Sequence, residues 1–182
     1  MVMVASRYFS AAMVRTLPDD GWRYETVHGE LLVSPAPSAW HQEIIARLAR
    51  IMQRYLEEAG AGHLFVSPAD ISWGDDILVQ PDLFVVPLGE ARTMDWARIR
   101  SLLLAVEVVS PSSARADRFT KRRLYQTEGV PTYWVIDPEH RCIEMWTPEA
   151  LFPVIEEEQI SWTVPGVDAA LAVNLGELFR PL

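Results

Sequence analysis

A single cysteine, Cys142, occurs in 182 residues. It can close no internal disulfide and forms no CxxC pair for zinc, so a reducing cytoplasm is the compartment this composition suggests. Long apolar runs are missing as well. The most apolar stretch, residues 102–109 (LLLAVEVV), falls far short of a bilayer-spanning helix, which excludes a membrane protein of the helical kind. The opening MVMVASRYFSAAMV has apolar pieces, but Arg7 interrupts them and no basic segment precedes them, which makes a poor signal peptide. Repeats and low-complexity tracts are lacking, so neither a solenoid nor a disordered tail is expected. There is no GxxxxGK[ST] or GxGxxG nucleotide cradle and no GxSxG elbow. The four histidines, His28, His41, His63 and His140, show neither HxH nor HExxH zinc spacing. Positive charge is also short, the net being −9, which argues against a protein that coats nucleic acid non-specifically.

What is present fits one soluble domain over 1–182, large enough to bury a core unaided. Residues 22–34 (WRYETVHGELLVS) read as two strands around a His28-Gly29 turn. Ser38 is a plausible N-cap, and Ile44, Ile45, Leu48, Ile51, Met52, Tyr55 and Leu56 then recur at helical spacing until Gly60 and Gly62. Short β-rich pieces follow at 63–67, 71–73, 77–79 and 82–86. Residues 102–109 are apolar on both parities, the mark of a central strand covered on both faces. Ser110-Pro111-Ser112 opens a helix expected to run to about Glu128, with Gly129 as its stop. Strands are expected at 132–136, 142–146, 151–155 and 160–164, and a short closing helix after Asn174. Helices against a central sheet make this an α/β (α+β) chain.

Glu107 stands inside the most hydrophobic strand, between Val106 and Val108. A buried carboxylate is tolerated only when it is paired or binds a metal, so Glu107 is either half of an ion pair with an arginine or a metal ligand or acid–base group. Asp82, after Pro81, could simply start a strand. Its interest lies in convergence with Glu107, 25 positions on, if their strands are neighbours. Two carboxylates with water and a phosphate oxygen suit Mg²⁺, with Mn²⁺ as a substitute. Asp117, Lys121 and Tyr125 are spaced i, i+4, i+8 and share one helix face. That helix leaves the Glu107 strand through a short turn and must fold back over it. Residues 115–123 (RADRFTKRR) carry five cations and one aspartate, either a solvated helix surface or one basic face that could meet DNA.

These motifs together resemble the putative restriction-endonuclease family of the PD-(D/E)XK nuclease superfamily. VQPDLFVV carries the PD. LLLAVEVVSPSSARADRFTKRRLYQTEGVPTYWVIDP carries the EV-[LIV]-SPS strand end, D-x-x-x-K-x-x-x-Y on the next helix, and GV-x-x-YW-[LIV]-[LIV]-DP. The upstream Y-E-x-x-x-G-E-L hairpin is Tyr24, Glu25, Gly29, Glu30 and Leu31, and His41 follows a serine-proline turn. The resemblance spans about 22–146 and implies a restriction-endonuclease-like core: a central mixed sheet flanked by helices, with an N-terminal β-hairpin.

The resemblance also implies roles. Asp82 and Glu107 match the two metal-binding acids, with the carbonyl of Val108 as a further ligand. The lysine usually found two positions after the second acid is replaced by Val109, and Lys121 matches a lysine migrated to the helix. Asp117 would fix Lys121, and Tyr125 would line the pocket or touch a phosphate. Glu30 and His41 are supporting candidates, and Arg115, Arg118 and Arg122 are candidate DNA contacts. Asp137 reads as turn chemistry. Two departures stand out: His28 where the family often has aspartate, and Val79-Gln80 where basic residues often precede PD.

The expected function is a Mg²⁺-dependent DNA endonuclease. The competing readings are a nuclease fold that binds or scaffolds without cutting, and a metal-dependent hydrolase of another phosphoester. Seven tryptophans suggest exposed apolar surface and a homodimer, which would set two sites against two DNA strands.

Overall fold

Apolar runs and turn residues set the elements seen in a computed structural model that describes residues 7–182. The first part of the poor leader therefore lies outside the described residues. A short helix α1 (Ala11–Val14), capped by Ser10, precedes the hairpin β1 (Arg23–Val27) and β2 (Glu30–Ser34). His28 and Gly29 both take positive φ (49° and 80°) at its turn. Only a tight hairpin loop asks for two such residues in succession.

Helix α2 (Ala39–Ala59) begins where the Ser38 side chain accepts from the His41 amide, and it stops at Gly60 in the left-handed conformation. Its apolar stripe buries Ile44, Ile45, Leu48, Met52, Tyr55 and Leu56, each fully buried aliphatic contributing about 1.5–3 kcal/mol. Strands β3 (His63–Val66), β4 (Ile71–Gly74), β5 (Ile77–Val79) and β6 (Leu83–Val86) follow, then a single helical turn α3 (Leu88–Ala91). Next come β7 (Leu104–Val108), helix α4 (Arg122–Thr127), β8 (Tyr133–Asp137) and β9 (Cys142–Trp146). The chain ends with β10 (Val154–Glu156), β11 (Gln159–Trp162), β12 (Leu171–Asn174) and α5 (Leu175–Leu178).

The main sheet has the order β10-β9-β8-β7-β6-β3. Within it β7 and β8 run parallel, joined through α4, while the other neighbours are antiparallel. The expected central mixed sheet is therefore present, and β7 and β8 are buried along their whole length. Alternate residues serve two cores. Leu83, Leu104, Val106, Trp134 and Ile136 face α2 together with β11, β12 and α5. Phe84, Ala105, Tyr133 and Val135 face α4 and the second sheet, whose order is β2-β1-β5-β4.

Three details differ from expectation. The helix after Ser110 is not regular: Ala116–Lys121 forms a π-helical segment before α4. Strands β10 and β11 sit slightly off the expected 151–155 and 160–164, because Pro153 delays the first and Glu157-Glu158 turn tightly into the second. The tryptophans do not form an exposed surplus. Trp134, Trp146 and Trp162 are buried and Trp40 and Trp73 pack partly against the cores, which leaves Trp22 and Trp96 exposed. The basis for expecting self-association is mostly core packing. Among the described residues no helix is long and apolar enough to cross a membrane.

Candidate active site

Antiparallel pairing sets Leu83 opposite Val106, and one further step along that register sets Asp82 opposite Glu107. Paired residues on neighbouring strands project from the same face. The two acids are thus brought together by a ladder whose apolar neighbours hold it rigid. Both are 2% exposed.

Both oxygens of Asp82 are hydrogen-bonded. Its Oδ1 accepts from the Arg23 guanidinium at 2.8 Å. Its Oδ2 meets His41 Nε2 at 3.0 Å and accepts from the Val108 amide at 2.9 Å. Burial works to raise this carboxyl, but the His41 hydrogen bond and the Arg23 charge outweigh it and bring it down to about 2. Asp82 therefore stays ionised. Val108 contributes its N–H here, a role distinct from the expected carbonyl ligand.

Glu107 accepts from Lys121 Nζ at 3.0 Å and from the Tyr125 hydroxyl at 3.1 Å, both on Oε1. Its partner in the buried strand is thus a lysine and not an arginine. Burial pushes the Glu107 carboxyl well above its ordinary range. Lys121 opposes that shift, and Asp117, Asp82 and Glu25 add to it. Asp117 is raised too, chiefly by burial. Lys121 is held well above its usual value: burial alone would lower it, and Glu107, Glu25 and Asp117 more than reverse that.

Lys121 Nζ lies 2.8 Å from Glu25, 3.0 Å from Glu107 and 3.4 Å from Asp117. The last contact is Coulombic, too poorly aligned for a hydrogen bond, so Asp117 Oδ1 is buried without a donor, as is His41 Nδ1. The π-helical segment carries Asp117 and Lys121 and turns both inward, where both are buried. Such segments are uncommon and concentrate at functional sites.

Four buried acids, Glu25, Asp82, Glu107 and Asp117, thus surround two permanent cations, Lys121 and Arg23, plus His41. All these groups border one cleft of about 890 Å³. An excess of hard oxygen donors, one of them accepting no hydrogen bond, fits a divalent cation of the magnesium type. Among the described residues no three His, Cys, Asp or Glu side chains already stand in a ligating arrangement.

The remaining sequence candidates are placed unevenly. Glu30 borders the cleft but is exposed, and its side chain makes no hydrogen bond among the described residues. Tyr125 is fully buried, outside the cleft lining, and reaches Glu107 instead of a phosphate. Arg115 is exposed at the rim. Arg118 also borders the cleft, but Asp137 and Glu144 hold its guanidinium, each at 2.6 Å. Arg122 lies away from the cleft, its guanidinium 4.6 Å above the Trp146 ring. Two of the three candidate DNA cations therefore serve internal contacts, because acidic and aromatic groups from β8 and β9 fold against that helix face. Asp137 does act as a turn residue, accepting from the Glu139 and His140 amides at 3.0 Å each.

Sequence reasoning missed Glu25 and Arg23 as site residues. Glu25 links the second sheet to the helix packed on the main sheet: its Oε1 accepts from the Gln80 amide at 2.7 Å while Oε2 meets Lys121. An acid inside the strand RYETV was the available signal, of the same kind as Glu107.

A mixed sheet carrying two facing acids and a helix-borne lysine at one cleft defines a restriction-endonuclease-like protein. A family model described as "Uma2: Putative restriction endonuclease" matches residues 11–174, and the chain belongs to that family. Among solved structures it is similar to a crystal structure described as a putative nuclease belonging to DUF820 from Anabaena variabilis. The TM-score is 0.72 at 19% identity, covering 94% of this chain and 97% of that one. This likeness shows the fold. No curated protein matches the chain.

Proposed function

We propose that the protein is a Mg²⁺-dependent endonuclease that hydrolyses DNA phosphodiester bonds at the cleft bordered by Asp82, Glu107 and Lys121. The observation that carries this reading is the buried acid surplus around a single lysine at an open cleft, in a chain of this family.

Asp82 and Glu107 would hold the ion, with water completing its shell. When bound, such an ion polarises a phosphoryl oxygen and acidifies a water molecule. The chain's own groups have separable tasks. Asp82, kept ionised by His41 and Arg23, supplies fixed negative charge at the end of β6. Lys121 remains an ammonium and offsets charge developing on the scissile phosphate. Asp117 Oδ1, which accepts no hydrogen bond and has raised proton affinity, would take a proton from the attacking water. Glu25 holds Lys121 in place, and Tyr125 orients Glu107.

A second reading, a nuclease fold that binds without cutting, is favoured by the internal pairing of Arg23 and Arg118, which leaves few cations for a phosphate backbone. Cleavage of labelled oligonucleotides and plasmid with Mg²⁺ or Mn²⁺ separates the two. Wild type and an Arg50→Ala surface control should cut, and Asp82→Asn and Lys121→Met should not. Cleavage surviving both substitutions would overturn the assignment.

A further inference from the structure

We infer that the cleft receives a single, unpaired DNA strand in preference to a duplex, a conclusion that rests on the nuclease reading above. The cleft lining divides by segment. Residues from the end of β2 into the first turn of α2 contribute apolar groups, among them Pro35, Pro37 and Trp40. The turn after β7 contributes the hydroxyls of Ser110, Ser112 and Ser113, followed by Arg115. Pro35 and Pro37 are exposed on that segment.

The cations bordering the cleft are mostly committed. Arg23 is paired with Asp82, Arg118 with Asp137 and Glu144, and Lys121 with Glu25 and Glu107. His41 and His140 each face an aspartate. Among the described residues Arg115 is the cleft-lining arginine or lysine without an ion pair. A duplex hides its base faces and presents phosphates on two strands, and proteins that grip it neutralise roughly 6–10 of them. A chain of net charge −9 with one uncommitted cation at the cleft cannot do that. An unpaired strand offers base faces to an apolar segment and a single line of phosphates to serines and one arginine. Base stacking on side chains tolerates any sequence.

The test is fluorescence anisotropy of a labelled single-stranded oligonucleotide and its duplex, with Ca²⁺ replacing Mg²⁺ and the salt concentration varied. The single strand should bind about tenfold tighter than the duplex. Pro35→Ser/Pro37→Ser, at two exposed positions, should weaken single-strand binding by about tenfold and leave the salt slope unchanged. Arg115→Ala should reduce that slope by about 0.7, one phosphate contact. Duplex binding as tight as single-strand binding, or full affinity in the double variant, would overturn the inference and leave the nuclease reading standing. Failure of both nucleic acids to bind would overturn both.

Discussion

Lys121 Nζ lies 2.8 Å from a carboxylate oxygen of Glu25, so a helix packed on the main sheet is tied to the first strand of the other sheet by one buried ion pair. Glu25 also accepts from the backbone two residues before Asp82. The lysine and the first acid of the site are therefore referred to one common point, and disturbing Glu25 should disturb both.

Glu25→Gln keeps the shape and removes the charge. Loss of one charge-assisted contact from a buried lysine should cost about 1–3 kcal/mol, read as a lower urea midpoint. Nuclease turnover should fall while substrate affinity holds, since Glu25 sets the lysine and not the strand.

Lys121→Met leaves Glu25, Glu107 and Asp117 without their shared cation. Glu107 and Asp117 already have raised carboxyls, and without the lysine they rise further. A carboxyl raised on folding contributes stability that is present at low pH and lost as pH climbs through its folded value. The variant should therefore gain stability relative to wild type as pH is lowered toward the ordinary carboxylate range, in urea melts at stepped pH. Equal pH dependence in the two proteins would mean the acids are not coupled through Lys121.

Asp82 has the opposite sign. Its carboxyl falls from 3.8 to about 2, so it contributes stability above the higher value, lost as pH falls through the lower one. Acid unfolding of wild type should show a limb worth about 2 kcal/mol between these two pH values, and Asp82→Asn should flatten it.

Arg118→Ala separates a structural arginine from a DNA contact. Its guanidinium makes two 2.6 Å ion pairs and its side chain is 28% exposed, so stability should fall by about 1–2 kcal/mol. Oligonucleotide affinity should change less than in Arg115→Ala.

Glu107 was legible in the sequence because its neighbours are all apolar, so burial followed from the strand and the need for a partner followed from burial. Asp82 and Lys121 were legible through the order of the family motifs, and the β6–β7 register explains why that order works. Arg23 and Glu25 were not recognised, since their partners lie 59 and 96 positions away in the sequence and meet them only when two sheets pack. The RADRFTKRR segment misled for a related reason. Charge alone marks it as a binding face, while Asp137, Glu144 and Trp146, which neutralise or cover two of its arginines, come from later strands. The π-helical segment has no sequence signature, although it delivers both Asp117 and Lys121 to the interior.

Titration of Mn²⁺ into the purified protein by calorimetry addresses the centre most directly, with Asp82→Asn and Glu107→Gln as comparisons. The account predicts one ion per chain in wild type and loss of that binding in each variant, both of which should remain folded. Wild-type protein that takes no ion, or ion binding unchanged in both variants, would contradict a metal centre on Asp82 and Glu107.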